Sequence, residues 1–236
     1  MEQLSLSEID FLSISDKLRQ TLGEPEVLHQ SSPLAYCTTP LEFLIATILT
    51  QATSDRNALN SWFNFKKSFP QPESALEVEE EILREVIRSG GLANQKAKTI
   101  RAVLMAIRER SLQLSRNALG ESHQLLREML LSLPGVGPKT AACVLLFGFK
   151  LPEFPVDTHI HRIVIRMGWV TPKSSPDEAQ RLLSPVIPVE LQAPLHILLL
   201  NLGRRNCRPR NPNCRECPLN QDCNLGKGLH NANIVL

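Results

Sequence analysis

Residues 133–142 read Leu-Pro-Gly-Val-Gly-Pro-Lys-Thr-Ala-Ala, and this stretch decides the fold. An amphipathic helix pattern covers residues 122–131, and the glycines after it favour a tight turn over continued helix. Pro138 suits the first position of a new helix, because that position needs no N–H donor. The sequence therefore predicts two helices that are joined by a hairpin over residues 133–139.

The hairpin leaves the backbone N–H groups of Gly135, Val136 and Gly137 at the start of the second helix. Such groups can bind a phosphate of a nucleic acid. Lys139 lies near the second position of that helix, where the positive end of the helix dipole disfavours an ammonium ion. Lys139 is therefore a candidate nucleophilic amine, and a solvated surface lysine is the alternative.

A second segment, Phe-Pro-Val-Asp-Thr-His-Ile-His-Arg at residues 154–162, places Asp157 directly before a helical run. The simplest role of Asp157 is an N-cap, whose carboxylate accepts a backbone N–H of the helix. The alternative role is that of an anion that compensates the charge of Lys139 and takes part in catalysis. The residues alone leave both roles open.

Composition places the chain among globular proteins with a buried core. It has 236 residues, 42% of them hydrophobic, and a formal net charge of +2 that identifies no partner. Residues 1–21 lack the basic start and apolar run of a signal peptide, and no segment is long enough to cross a membrane. We therefore expect a cytoplasmic protein without a membrane partner. Residues 203–227 are locally basic, which suits a polyanion.

Apolar residues recur at helical spacing along most of the chain, and no segment alternates convincingly as a strand would. The fold class is therefore all-α. A central, largely apolar helix follows the capping box at residues 39–42. Further helices are predicted over residues 9–22, 54–68, 74–89, 95–110 and 191–202, with a second capping box at 175–178. The predicted helix stops are Gly23, the pair Gly90-Gly91 and Gly203.

Four of the six cysteines form a cluster with the spacing C-x6-C-x2-C-x5-C, namely Cys207, Cys214, Cys217 and Cys223. Four soft thiolates so close in sequence suit a tetrahedral zinc ion or an iron-sulfur cluster. A disulfide framework is disfavoured in the cytoplasm. This chemistry leaves the identity of the metal open. Cys37 and Cys143 lie in apolar surroundings and are interpreted as small buried hydrophobic residues.

Together these motifs resemble the endonuclease III family of helix-hairpin-helix DNA repair glycosylases. The hairpin and residues 156–160 look like the family's hairpin and catalytic-aspartate motifs, and the cysteine spacing is similar to that with which the family holds a 4Fe-4S cluster. Residues 40–46 with Gln51 resemble the family's early core helix and the glutamine that enters DNA. Residues 91–97 resemble the segment whose leucine enters the opposite strand. The resemblance covers most of the chain.

The resemblance implies two all-α lobes, with DNA bound across the cleft between them. One lobe would be a six-helix barrel over residues 39–150 that contains the hairpin. Residues 1–38 and 151–236 would form the iron-sulfur cluster lobe, with the cluster loop at 207–223. The cluster would have a structural role, because it would hold this loop in one conformation.

The resemblance also implies a bifunctional DNA glycosylase and apurinic/apyrimidinic lyase that removes oxidised pyrimidines. Its partner would be double-stranded DNA with a damaged base or an abasic site, and it would act as a monomer. Lys139 would attack C1′ of an extruded nucleotide, and Asp157 would assist. The residues that contact DNA would be Gln51, Leu92, Gly135, Val136, Gly137, Arg208 and Arg210.

Three alternatives stay open at this point. The protein could be a monofunctional glycosylase, although such relatives generally lack a lysine at the position of Lys139. It could act on mismatched uracil or thymine, or it could be a non-catalytic DNA-binding module with a zinc knuckle. For Leu92 the alternative is a packing contact at the end of the preceding helix, but its neighbours Asn94, Lys96 and Lys98 favour exposure.

Overall fold

The computed structural model of the protein describes residues 6–25, 30, 32–110, 112, 114 and 122–226. Within these residues every regular element is a helix, which confirms the predicted fold class. The chain divides into two compact units, Leu28–Leu151 and Met1–Val27 with Pro152–Leu236. The six-helix barrel and the cluster lobe expected from the resemblance stay predictions. No described helix is both long and apolar enough to cross a membrane.

The helices have the following bounds in chain order. They are α1 (Phe11–Leu22), α2 (Pro40–Thr50), α3 (Asp55–Ser68), α4 (Glu80–Val86), α5 (Ala93–Glu109), α6 (His123–Leu131), α7 (Pro138–Cys143), α8 (Thr158–Met167), α9 (Pro176–Leu183) and α10 (Val189–Arg205). Short 3₁₀ turns lie at Leu6–Glu8, Pro33–Tyr36, Pro72–Leu76 and Arg88–Gly90, and a π-helical segment, Val144–Phe149, continues α7.

The unit Leu28–Leu151 is built around α2, which is buried on nearly all sides. The predicted capping box is confirmed: Glu42 N–H donates to Thr39 Oγ1 at 3.2 Å, and Thr39 N–H donates to Glu42 Oε2 at 3.4 Å. Glu42 also forms an ion pair with Lys66 of α3. Burial raises the pKa of the Glu42 carboxyl, but hydrogen bonds from Lys66 and Thr38 outweigh this effect and hold that pKa below its usual value.

The predicted single helix over residues 74–89 is wrong, because this stretch is broken into 3₁₀ turns around the short α4. Arg101 of α5 stabilises the broken backbone. Its Nη1 donates to the carbonyl of Ala75 at 3.2 Å and to that of Val78. These carbonyls therefore accept hydrogen bonds from a side chain outside the stretch. The apolar pattern within residues 74–89 gives no sign of that contact.

The second unit packs α1, α8, α9 and α10 around a separate hydrophobic core. Asp10 is the N-cap of α1 and accepts the N–H of Ser13 at 2.9 Å. Gly23, with φ of +86°, follows α1 and confirms the predicted helix stop. Lys17 of α1 forms an ion pair with Asp222 of the loop 207–223, at 2.9 Å. Residues from both ends of the numbering thus build one core.

The predicted stop at Gly203 is wrong, because α10 continues through it to Arg205. Gly203 is buried, and a Cβ at this position would lie 2.7 Å from the Cβ of His159 on α8. Glycine is needed there because α8 and α10 approach each other closely, and not because the backbone turns.

Candidate functional site

The hairpin joins α6 and α7, as the sequence predicts. Its turn is closed by the N–H of Val136, which donates to the carbonyl of Leu133 at 3.2 Å. Gly135 has φ of +73°, and a Cβ on it would lie 2.8 Å from Cγ2 of Thr99 on α5. Both the backbone conformation and the close contact require glycine. The hairpin is therefore fixed firmly against α5.

The three hairpin residues predicted to contact DNA differ in what they can offer. Gly135 and Gly137 are exposed, and among the described residues their N–H groups donate to no protein acceptor. Two such groups at the start of a helix suit an anion. Val136 is only 6% exposed, and its N–H already closes the turn. Contact of these residues with DNA stays a prediction.

Lys139 is the second residue of α7, which begins at Pro138 as predicted. The Lys139 side chain is half-buried in the N-terminal turn. The helix then passes into the π-helical segment Val144–Phe149, an irregularity that is frequent near functional sites. The structure therefore places Lys139 in the helical turn that directly follows Gly135 and Gly137, whose N–H groups are open.

Gln51 is the C-cap of α2, and its side chain is exposed. Its Nε2 donates to Oγ1 of Thr140 at 3.5 Å. Ala52 follows with φ of +47°, a left-handed conformation that costs a non-glycine residue on the order of 1 kcal/mol. The structure thus brings Gln51 beside the neighbour of Lys139, while its insertion into DNA stays a prediction.

Leu92 immediately precedes α5 and is 56% exposed. Its φ is +48°, so it is a second non-glycine residue in the left-handed region. Such exposure does not suit a packing contact, which was the alternative interpretation of Leu92. The residue is available to a large apolar or aromatic partner, and its insertion between bases stays a prediction.

Asp157 is the N-cap of α8, so the simpler of its two predicted roles is confirmed. Its Oδ1 accepts the N–H of Ile160 at 2.8 Å. The backbone before it is held by His196, whose Nδ1 lies 2.9 Å from the carbonyl oxygen of Pro155. No described residue donates a hydrogen bond to Oδ2. One carboxylate oxygen therefore remains for the catalytic role, which stays a prediction.

The four clustered cysteines line a single cavity, and each is a half-buried free thiol. Burial raises the pKa of the Cys217 thiol to about 11, and the charges of the other three cysteines add to this rise. Burial and neighbouring Cys223 and Cys207 likewise raise the pKa of Cys214. Four sulfurs so close together need a positive centre to be stable as thiolates. In the described ranges, no three His, Cys, Asp or Glu side chains meet around a single-ion position.

Arg166 of α8 forms several hydrogen bonds with the loop 207–223. Its Nη1 donates to Sγ of Cys207 at 3.2 Å and to the carbonyl of Arg208 at 2.8 Å. Its Nη2 donates to the carbonyl of Pro209 at 3.1 Å, and its own carbonyl accepts from Sγ of Cys223 at 3.3 Å. One arginine thus fixes both ends of the cysteine loop.

Arg162 lies one turn earlier on α8, and its Nε donates to the carbonyl of Cys207 at 2.8 Å. Neither Arg162 nor Arg166 is predicted from the sequence, although their i, i+4 spacing places them on one helix face. Arg208 and Arg210 are exposed on the loop that these arginines hold. Their contact with DNA phosphates stays a prediction.

Several known proteins are similar to this chain in sequence and in fold. Residues 45–188 match the model of the HhH-GPD superfamily base excision DNA repair proteins. Endonuclease III of Thermotoga maritima is 36% identical over 195 residues, which cover 81% of this chain and 87% of the relative. Endonuclease III of Bacillus subtilis is 31% identical over 235 residues, which cover 98% of this chain and 99% of the relative. A solved trapped covalent endonuclease III–DNA intermediate, an estranged-adenine complex, has 27% identity and a TM-score of 0.78, with 94% of this chain and 99% of that chain covered.

Proposed function

Because the chain belongs to the HhH-GPD superfamily of base excision DNA repair proteins, and within it to the endonuclease III family, we propose that Lys139 is its catalytic nucleophile. The protein is a DNA glycosylase and apurinic/apyrimidinic lyase, and it binds DNA. One observation carries the choice of residue. Lys139 lies in the first turn of α7, directly after the hairpin whose Gly135 and Gly137 N–H groups are open to an anion.

The proposed substrates are oxidised pyrimidines and abasic sites in double-stranded DNA. The resemblance to endonuclease III supports this choice, and uracil and mismatched thymine are the competing substrates. Duplexes that each carry one such lesion at the same position test the choice. Single-turnover excision should be fastest for an oxidised pyrimidine. Faster excision of uracil or mismatched thymine would contradict the proposal.

The reaction starts with the lesion nucleotide outside the stack, because the glycosidic bond of a stacked base cannot be reached. Neutral Nζ of Lys139 forms a bond to C1′ as the bond from C1′ to the base breaks. The base leaves with that electron pair and takes up a proton. Opening of the sugar ring gives a Schiff base and a hydroxyl at O4′. Loss of a proton from C2′ then breaks the C3′–O bond, and water releases Lys139.

Asp157 is the proposed carboxylate of this reaction. It would accept the proton that Nζ loses and would stabilise the positive charge that develops on the sugar. The capping bond to Ile160 uses Oδ1, at 2.8 Å, and Oδ2 receives no hydrogen bond from the described part of the chain. The capping role and the catalytic role are therefore compatible.

The four cysteines of the loop 207–223 are proposed to hold a 4Fe-4S cluster. The donor set fits, since four half-buried sulfurs line one cavity and no described carboxylate or imidazole lines it with them. The N–H of Arg166 that points at Cys207 Sγ is the type of outer contact that supports a thiolate ligand. When bound, the cluster would supply four iron–sulfur bonds that keep the loop in shape. Arg208 and Arg210 would then be held for phosphate contacts.

The proposed working state is a monomer in the cytoplasm. None of the six cysteines forms a disulfide, which suits a reducing compartment. Light scattering of the holoprotein should give a mass near that of one chain, 26.4 kDa. Twice that mass would contradict the monomer.

The substitution Lys139→Gln tests the nucleophile. Without the amine, strand cleavage and borohydride trapping on an abasic duplex should vanish, while binding survives because phosphate contacts carry most of the affinity. Lys67→Gln, at an exposed lysine of α3, is the control and should behave as wild type. If Lys139→Gln is still trapped at the wild-type rate, another amine is the nucleophile.

A further inference from the structure

Lys96 of α5 is almost completely buried, with 2% of its surface exposed. Lysine is rarely buried to this extent unless its charge is paired. Nζ donates to the carbonyl of Leu49 at 2.8 Å and to that of Gly90 at 2.8 Å. No carboxylate among the described residues pairs with it. Burial lowers the pKa of the Lys96 ammonium to about 8, so it still holds its proton at neutral pH.

The two carbonyls that Lys96 binds both belong to the ends of helical segments. Leu49 lies in the last turn of α2, and Gly90 closes the 3₁₀ turn Arg88–Gly90. Carbonyls at such ends have no donor within the helix and carry the negative end of the dipole. A cation is therefore a favourable partner, and one side chain joins the ends of two separate segments.

Each of these ends is followed by a residue that is proposed to enter DNA. Gln51 lies two residues after Leu49, and Leu92 lies two residues after Gly90. A rigid link between Leu49 and Gly90 therefore fixes the backbone positions from which the side chains of Gln51 and Leu92 extend. Gln51 and Leu92 lie far apart in the sequence, so contacts between the two segments must set the spacing of their side chains, and the link through Lys96 is the contact nearest to both.

The loops beyond the link lie side by side and are both strained. A Cβ on Gly91 would lie 3.9 Å from Oγ1 of Thr53, which places the two loops next to each other. Ala52 and Leu92 have φ of +47° and +48°. Left-handed conformations of non-glycine residues persist only where the surrounding structure holds them. Lys96 is the buried polar group that binds both loops at their base.

We propose that Lys96 is a positioning residue for base extrusion, which holds loops 51–54 and 90–92 together so that Gln51 and Leu92 enter the duplex as a pair. This inference rests on the proposed insertion of Gln51 and Leu92. Lys96 touches neither the base nor the sugar, and it acts only through the spacing of the two loops. Its removal should therefore affect extrusion and not the chemistry at C1′.

Lys96→Met tests this role, because methionine has a similar shape but no N–H donors. Two duplexes are compared, one with a paired oxidised pyrimidine and one with a ready-made abasic site, which needs little extrusion. Excision of the paired lesion should fall about tenfold to a hundredfold, as expected for misplaced groups, while abasic cleavage changes by less than about threefold. The fluorescence rise of 2-aminopurine next to the paired lesion should be lost as well.

Two further variants accompany Lys96→Met. Lys98→Met makes the same chemical change at an exposed position of α5 and should retain wild-type rates on both duplexes. Lys96→Gln keeps N–H donors on a shorter side chain and replaces Lys96→Met if that variant does not fold. Its excision rate on the paired lesion should lie between those of the wild type and Lys96→Met. The double variant Lys96→Met with Leu92→Ala should be no slower than Leu92→Ala, because both changes affect one step.

Leu92→Ala separates this inference from the function on which it rests. If Leu92→Ala leaves excision of the paired lesion unchanged, the proposed insertion fails, whatever Lys96 does. If Leu92→Ala slows that excision but the Lys96 variants slow both substrates equally, with a lower melting temperature, the positioning role is overturned. Lys96 would then be a packing residue.

Discussion

The side-chain amide of Gln51 donates to the hydroxyl of Thr140, with Nε2 and Oγ1 3.5 Å apart. Gln51 ends α2, and Thr140 lies in the first turn of α7, directly after Lys139. This bond orients a side chain that is otherwise exposed. A residue proposed for extrusion is thereby tied to the helix that carries the proposed nucleophile.

Thr140→Val removes the acceptor for Gln51 and keeps the shape of the buried side chain. Excision of a paired lesion should slow about fivefold, which corresponds to one neutral hydrogen bond of about 1 kcal/mol. Single-turnover excision measures the effect. Thr140→Ser keeps the hydroxyl and should excise at nearly the wild-type rate. If both variants are equally slow, packing at position 140 matters and the hydrogen bond does not.

Asp157→Asn keeps the side-chain oxygen that accepts the Ile160 N–H at 2.8 Å but removes the charge. Excision should fall by about a hundredfold or more, as for loss of a positioned acid-base group, with little change in melting temperature. Asp10→Asn is the matched control, because Asp10 caps α1 through a similar bond of 2.9 Å from Ser13. Near-normal excision by Asp157→Asn would leave Asp157 with its capping role alone.

The holoprotein should be yellow-brown, because charge transfer from sulfur to iron absorbs broadly in the visible range. Cys214→Ser should lose iron, colour and solubility together. Cys37→Ser, at a half-buried thiol outside the cluster, should keep all three. Metal analysis decides the matter. One zinc per chain, with neither iron nor sulfide, would contradict the assignment of a 4Fe-4S cluster. If such a protein also cleaved no DNA strand, a non-catalytic DNA-binding module would be favoured.

Glu42 should give the unit Leu28–Leu151 a specific sensitivity to acid. Although burial raises its pKa, hydrogen bonds from Lys66 and Thr38 hold that pKa below the ordinary value of 4.5. The carboxylate therefore contributes stability that is complete above about pH 4.5 and is lost as the pH falls through the lower folded pKa. Glu42→Gln should lower the melting temperature at neutral pH and flatten its decline in acid.

Melting curves between about pH 7 and pH 3 measure this linkage. Glu73→Gln, at an exposed glutamate of the same unit, should follow the wild-type curve. Parallel declines of the wild type and Glu42→Gln would show that another group causes the acid sensitivity.

Local signals explain what could be predicted from the sequence. The capping box at residues 39–42, the start of α7 at Pro138 and the stop at Gly23 each depend on backbone groups within a few residues. The cysteine spacing is likewise local, and these four residues do share one cavity. Such features need no knowledge of the rest of the fold.

Long-range contacts explain what could not be predicted. Arg101, which lies on another helix, binds the non-helical backbone within residues 74–89, and Gly203 is required by the close approach of His159 of α8. Lys96 carries a charged side chain of the kind usually found at the surface. It is buried because carbonyls from two distant segments meet at its amine. In each case the deciding partner lies far away in the sequence, so the local spacing of apolar residues cannot predict the contact.

The second unit combines two segments that lie far apart in the sequence, and this has a consequence for biosynthesis. Lys17 and Asp222 meet although 205 positions separate them, and α1 packs against α10. A ribosome releases α1 first, while its partners in that core are still untranslated. The continuous segment Leu28–Leu151 can collapse in the meantime, but Phe11, Ile14 and Leu18 stay uncovered. We therefore expect iron loading of the proposed cluster to be a late step of maturation, because the loop 207–223 follows the rest of this core in the sequence.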